Sequence, residues 1–209
     1  MIRVDRDRLP SLEHVEELPS IEAIVVPVGG GSGAAGVCTV AKAVNPAVTV
    51  IGVQSKEAPT AYRAWRERRL VEDRMETFAE GLATRTAFEL PQMILRELLD
   101  DFVLVPDDEI RTAQASMIEA TRNLVEAAGA APLAAALRLR DQLIGKRVAL
   151  ILSGGNVSRE QLLDVLQRGH SVPIHSFPAI AMDTTREERT NLSYLPTPGP
   201  GDSDGGDVY

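Results

Sequence analysis

Short apolar runs alternate with amphipathic stretches over most of this chain. Four runs rich in β-branched residues are typical of buried strands and lie at 23–28, 48–53, 102–105 and 147–152. Periodic stretches predict helices at 37–44, 59–68, 88–99, 106–129, 131–144 and 159–167. Continuously apolar strands belong to parallel sheets that helices cover on both faces. The pattern therefore predicts an α/β fold with an open, mainly parallel sheet and helices on both faces.

The same pattern divides the chain into three parts. Residues 1–22 are predicted to be an N-terminal lead-in, and residues 23–168 to form the folded unit, whose last helix Ser158 would cap. Residues 169–209 lack periodicity and hold five of the 13 prolines. We therefore expect a disordered tail there.

Composition and charge narrow the class of protein. Apolar residues make up 44% of the 209 positions, but no apolar run approaches the roughly 20 residues of a membrane span. The first 20 residues are too polar for a secretory signal, so we expect a cytoplasmic protein. The single cysteine, Cys38, excludes an internal disulfide and is expected to be a small buried residue. The net charge of −8 argues against a nucleic-acid partner.

A run of five small residues, Gly-Gly-Gly-Ser-Gly at 29–33, follows the first strand. Backbone amides at such a turn bind anions, and the run would suit the phosphate of a cofactor. Two other interpretations stay open. Residues 31–36 match the dinucleotide pattern G-x-G-x-x-G, although Gln54 stands where that pattern needs an acid. Alternatively, the glycines only let strand and helix pack closely.

Four segments together resemble the serine/threonine dehydratase family of pyridoxal-phosphate enzymes. They are VVPVGGGSGAAG at 25–36, FAEGLATR at 78–85, VEAAGA at 125–130 and LILSGGN at 150–156. The resemblance covers residues 12–168 and implies an incomplete large domain of the tryptophan synthase β-like fold. In that family, serine or threonine undergoes β-elimination to a 2-oxo acid and ammonia. Ser32, Gly33 and Ala127 depart from the usual family pattern.

The resemblance also implies roles for individual residues. Amides of the glycine run would hold the cofactor phosphate, Ser153 would hydrogen-bond the pyridine nitrogen, and two further residues would line the ring. The implied cofactor-binding residues are Gly29, Gly30, Gly31, Ser32, Gly33, Gly81, Glu126 and Ser153. Some members bind a divalent cation through acids after the second strand. Because Gln54 and Thr60 occupy those positions here, we predict no metal.

The Schiff-base lysine of the family precedes the glycine run in a Ser-x-Lys context, and this chain has no lysine there. Lys42, Lys56 and Lys146 are expected to be exposed surface residues. The sequence thus predicts a truncated dehydratase without catalytic residues, inactive alone. An incomplete sheet would expose apolar surface, so we expect self-association or a homo-oligomer. The alternatives are a non-catalytic pseudo-enzyme or partner subunit that binds a phosphorylated ligand, and a nicotinamide-dinucleotide-binding domain.

The remaining candidates for chemistry have ordinary structural interpretations. His14, His170 and His175 are expected to be surface residues rather than bases. Tyr62 and Trp65, three residues apart, are expected to pack rather than to bind a ligand.

Overall fold

The computed structural model describes residues 3–4 and 21–168 of the chain. Five parallel strands form one sheet in the order β1-β5-β2-β3-β4. The strands are β1 Arg3–Val4, β2 Ala23–Pro27, β3 Thr49–Ser55, β4 Asp101–Val105 and β5 Val148–Leu150. The predicted α/β class with a parallel sheet is confirmed, and the short β1 lies within the stretch expected to be a lead-in.

Helices lie between successive strands, and the last helix follows β5 and packs on the helix that follows β4. They are α1 Ser32–Val44, α2 Thr60–Glu67, α3 Glu89–Leu98, α4 Asp107–Thr121, α5 Ala127–Arg138, α6 Arg140–Leu143 and α7 Arg159–Arg168. A 3₁₀ turn spans Glu80–Leu82. Ser158 caps α7 as predicted, since its hydroxyl accepts the N–H of Gln161 at 3.2 Å.

The sheet is buried on both faces, and β2 shows this most clearly. Val25 belongs to an apolar cluster with α4 and α5, whereas Ile24 belongs to a cluster with α1 and α3. Alternate residues of one strand thus enter two separate cores, as expected for a sheet covered on both sides. This arrangement leaves the ends of the strands as the exposed parts of the sheet.

Two helix boundaries differ from the sequence-based prediction. Helix α1 begins at Ser32 instead of residue 37, inside the glycine run. Helix α4 ends at Thr121, and Gly129, predicted to end it, lies within α5. A Cβ at Gly129 would come within 3.0 Å of the Gly154 carbonyl oxygen, so this glycine serves a close approach between α5 and the turn after β5.

Packing predictions for three side chains are confirmed. Cys38 is fully buried, and burial with the nearby Asp100 charge raises the pKa of its thiol to about 12. The rings of Tyr62 and Trp65 pack on Phe102 at centroid distances of 5.5 and 5.9 Å.

Other expectations are wrong or fall outside the described residues. Lys42 is not a free surface residue, because its side chain is 18% exposed and bonds Asp100. His14, His170 and His175, and the expected disordered tail, lie outside the described residues. Within residues 3–4 and 21–168, the helices all fall short of the length and apolarity that a membrane crossing demands.

Candidate functional site

The parallel register brings the ends of β2 and β5 together. Val25 pairs with Leu150, and the next amide, of Ile151, donates to the Val25 carbonyl at 3.0 Å. The glycine run therefore leaves β2 at the same edge of the sheet at which Ser153 follows β5. This is the carboxyl edge, where ligands bind in open α/β sheets.

The glycine run forms the N-terminal end of α1. Gly31 has φ +92°, a left-handed conformation that favours glycine, and its carbonyl accepts the Ala35 amide at 2.8 Å in the first helical bond. The first turn, Ser-Gly-Ala-Ala, carries only small neutral side chains. The amides of Ser32, Gly33 and Ala34 precede the first helical donor and, with the helix dipole, favour an anion.

The glycine run lies directly against the 3₁₀ turn. A Cβ at Gly29 would stand 2.1 Å from the Gly81 carbonyl oxygen, and a Cβ at Gly81 would stand 2.7 Å from Ala128 Cβ. Gly81 is thus held between β2's end and α5 with no room for a side chain on either glycine. The Thr84 hydroxyl lies 3.4 Å from the Gly29 carbonyl oxygen, a long contact at the same place.

Glu126 joins α5 to the turn after β5. Its amide donates to the Gly154 carbonyl at 3.1 Å, and its Oε2 accepts the Asn156 amide at 3.3 Å. A Cβ at Gly154 would lie 2.8 Å from Glu126 Oε1. Ser153, at the start of this turn, is exposed. The structure therefore connects Gly81 and Glu126 to the two turns at the carboxyl edge.

A cavity of about 140 Å³ adjoins these residues. It is bounded by Phe78, Glu80, Gly81, Gln114, Glu126, Ala127, Ala128, Asn156 and Gln161. The cavity lies on the Gly81 and Glu126 side of the site rather than over the glycine run. This edge of the sheet thus has both an anion-favouring turn and a cavity beside a carboxylate.

The structure argues against a dinucleotide site at the end of β3, where Gln54 lies. Gln54 is fully buried, its Oε1 accepts the Tyr62 amide at 3.0 Å, and its Nε2 lies 3.5 Å from the Thr84 hydroxyl. Its amide is therefore engaged within the protein and unavailable to ribose hydroxyls. Thr60 is also buried and donates to the Arg85 carbonyl at 3.3 Å. In the part of the chain that the structure describes, no three acidic, histidine or cysteine side chains are grouped to hold a metal ion.

The three lysines of the chain are divided between the two edges of the sheet. Lys42 ends α1 beside Val48 and Asp100, at the amino edge. Lys146 precedes β5 at that same edge, whereas the exposed Lys56 follows β3 at the carboxyl edge. Two of the three are therefore separated from the glycine run by the length of the strands.

Two contacts of the glycine run were not predicted. The Phe88 ring would lie 3.2 Å from a Cβ at Gly30. Thr84, whose hydroxyl lies 3.4 Å from the Gly29 carbonyl oxygen, falls within the segment 78–85, but its contact was not predicted. The Phe88 contact depends on how α3 packs against the glycine run, and the spacing of residues in the sequence does not predict it.

Comparison with known proteins decides the family. The family model described as "Pyridoxal-phosphate dependent enzyme" matches residues 11–154. This chain belongs to that family. The cofactor of the family is pyridoxal phosphate, which agrees with a phosphate-binding interpretation of the glycine run and not with a dinucleotide.

Relatives of this chain within the family include ammonia-lyases and a racemase. The chain is 37% identical over 159 residues to an L-threonine ammonia-lyase of Geobacter sulfurreducens, covering 76% of this chain and 40% of that protein. A solved threonine deaminase isoform 2 of Solanum lycopersicum is similar with a TM-score of 0.70 and 32% identity, over 74% of this chain and 46% of that one. A solved serine racemase of Dictyostelium discoideum is similar with a TM-score of 0.66 and 35% identity, over 71% of this chain and 48% of that one. The chain thus spans less than half the length of these relatives.

Proposed function

We propose that this chain forms the phosphate-binding half of a pyridoxal-phosphate-dependent serine/threonine dehydratase. The reaction of such an enzyme is β-elimination to a 2-oxo acid and ammonia. One observation carries the proposal: the glycine run and the Ser153 turn share the carboxyl edge, joined through Gly81 and Glu126. The similarity to threonine ammonia-lyases supports it.

The residues present fit the phosphate group. Protein atoms occupy the space of a Cβ at Gly29, Gly30 and Gly31, whereas the space beside Gly33 is open. The first turn of α1 offers amides at the positive end of a 13-residue helix. The amides of Ser32 and Gly33 would complete the set. Each charge-assisted hydrogen bond to phosphate contributes about 1.5–3 kcal/mol before desolvation costs.

The turn after β5 fits the ring of the cofactor. The exposed Ser153 hydroxyl would bond the ring nitrogen, while Glu126 and Gly81 would line the ring. When bound, pyridoxal phosphate supplies an electron-accepting ring for loss of the substrate hydroxyl. A neutral hydroxyl at the nitrogen stabilises ring protonation less than a carboxylate does, so the ring accepts electrons less strongly. This suits elimination of an early-leaving hydroxyl.

We further propose that no lysine of this chain forms the covalent bond to the cofactor. Lys42 is paired with Asp100 at the amino edge, and Lys146 lies at that edge too. Lys56 lies at the carboxyl edge but follows the glycine run in the chain, whereas the Schiff-base lysine of the family precedes it. The chain alone would then bind the cofactor without turning over serine or threonine.

A binding titration tests the proposal. We expect pyridoxal phosphate to bind the 209-residue chain at least about tenfold more tightly than pyridoxal, because only the former carries the phosphate. Calorimetry measures both affinities, and Gly36→Ala serves as a variant control outside the site. Equal affinities, or ammonia release from L-threonine at an ordinary enzymatic rate, would contradict the proposal.

The placement of the lysines favours one second candidate, a non-catalytic partner subunit that binds a phosphorylated ligand. This candidate needs the glycine run but not the Ser153 contact. It predicts that a phosphorylated compound without a pyridine ring, such as glycerol phosphate, binds as tightly as pyridoxal phosphate. A preference for the pyridine compound favours the dehydratase proposal.

The surface beside the glycine run supports self-association. Phe88, Leu90 and Met93 at the start of α3 are 55%, 68% and 58% exposed. We propose that this apolar patch drives formation of a homo-oligomer, and that the chain works in the cytoplasm. Light scattering should show a mass above 22.6 kDa that Leu90→Glu reduces. A monomer at all concentrations would contradict the first of these proposals.

A further inference from the structure

Asp107 begins α4, but its side chain bonds residues far from that helix. Its Oδ1 accepts the Thr77 hydroxyl at 2.7 Å and lies 2.7 Å from the Ser55 hydroxyl. Its Oδ2 accepts the Phe78 amide at 3.0 Å. One carboxylate therefore joins the end of β3, the start of α4 and the segment that leads to the 3₁₀ turn.

These bonds continue into the 3₁₀ turn. The Thr77 hydroxyl oxygen accepts the Ala79 amide at 3.0 Å, and the Ala79 carbonyl accepts the Leu82 amide at 2.8 Å. Gly81 lies inside that last bonded loop. Asp107 thus fixes Phe78 directly and, through Thr77, the residue Ala79 that immediately precedes the turn.

Gly81 cannot move freely, because its surroundings are already at contact distance. Its carbonyl oxygen faces Gly29 and its Cα faces Ala128, each without room for a Cβ. A displacement of segment 77–79 would therefore change where the Gly81 carbonyl meets the glycine run. The position of the loop that binds phosphate depends on how firmly 77–82 is held.

We infer that Asp107 is a positioning residue: it fixes segment 77–82 against the glycine run and so strengthens pyridoxal-phosphate binding without touching the cofactor. The inference rests on the proposed function for its link to the cofactor. The bonding arrangement itself concerns only residues of this chain.

The chemistry of the position favours a carboxylate over an amide. The Phe78 amide and the Thr77 hydroxyl both donate, and an ionised carboxylate accepts at both of its oxygens. An asparagine would present one oxygen and one N–H₂ group. The N–H₂ group cannot accept a hydrogen bond, so one of these donors would lose its partner. Glu57 anchors the backbone, since its Oε2 accepts the Asp107 amide at 3.2 Å.

The test compares Asp107→Asn, Thr77→Val and the double variant of the full chain, with Asp108→Asn as a matched control. Asp108 is exposed in the same helical turn, so its loss removes the same charge. Calorimetry gives pyridoxal-phosphate affinity, and hydrogen exchange without cofactor gives protection of the amides of 78–82. Urea unfolding reports global stability separately.

We expect Asp107→Asn to weaken pyridoxal-phosphate binding about tenfold and to speed exchange at 78–82 selectively. The double variant should lose less than the product of the two single effects, because both act through one arrangement. Asp108→Asn should match the unaltered chain in both measurements.

Two results would overturn the inference. One is an Asp107→Asn chain with lowered urea stability but unchanged affinity and unchanged exchange at 78–82, which indicates a merely structural role. The other is an Asp108→Asn chain with the same losses, which indicates a general charge effect. If the unaltered chain binds no pyridoxal phosphate, the proposed function fails. Exchange then tests the structural part alone: selective loss of protection at 78–82 supports the hold of Asp107 on this segment, and its absence overturns that part too.

Discussion

The two edges of the sheet use polar groups in opposite ways. At the amino edge, Asp100 accepts the Lys42 ammonium at 2.6 Å and the Val50 amide at 2.7 Å. At the carboxyl edge, the glycine run follows β2, and Gly29 and Gly81 are in contact through backbone alone. Bonded side chains close the amino edge beside β3, whereas the glycine run after β2 carries small side chains or none.

The comparison separates stability from binding. Polar groups that are paired inside the protein stabilise the fold and have no capacity left for a ligand. Amides at a helix start that carry no capping side chain retain that capacity. Substitutions at the amino edge should therefore change unfolding without changing binding, and substitutions in the turns after β2 and β5 should change binding.

The largest effect should follow Gly29→Ala. The added Cβ would meet the Gly81 carbonyl oxygen at 2.1 Å, so backbone must shift. We expect a loss of about 3 kcal/mol in unfolding free energy and no measurable pyridoxal-phosphate binding. Gly36→Ala is the control, because a Cβ there meets nothing within 4 Å and should add about 0.5–1 kcal/mol of helix stability. Urea unfolding measures both; equal stability of the two variants would contradict the contact.

A smaller effect, confined to stability, should follow Asp100→Ala. The change leaves the Val50 amide without its carboxylate acceptor. It also removes the ion-pair partner of Lys42, whose side chain is only 18% exposed. We expect a cost of about 2 kcal/mol in urea unfolding with unchanged affinity for pyridoxal phosphate. Exposed Asp141→Ala controls for loss of charge. Weakened binding in a folded Asp100→Ala chain would remove the distinction between the edges.

The smallest effect should follow Ser153→Ala, and it should appear in binding only. The side chain is exposed, so unfolding should not change. Loss of one neutral hydrogen bond should weaken pyridoxal-phosphate binding about 2–10-fold. Ser153→Thr, which keeps the hydroxyl, should restore most of the affinity in the same titration. An alanine variant that binds normally would exclude the serine contact.

Local pattern predicted the sheet well, because strands buried on both faces are continuously apolar. The sequence pattern placed the start of α1 five residues too late, at residue 37 instead of Ser32. Ser32 and Gly33 are weak helix formers, so their helical conformation depends on packing that the pattern does not contain. It also misjudged Gly129, whose role depends on Gly154, 25 residues away along the chain. The motifs named Gly81 and Glu126, whereas the bonds of Asp107 to Thr77 and Ser55 are tertiary and left no sign in spacing.

Whether one cofactor lies between the two turns is tested most directly by a pyridoxal-phosphate titration monitored through the NMR shifts of the backbone amides. We expect the amides of 29–33 and of 153–156 to shift together with one dissociation constant, and pyridoxal without phosphate to perturb the second group far more than the first. Shifts confined to one turn, or two different dissociation constants, would contradict a single cofactor held between the two turns.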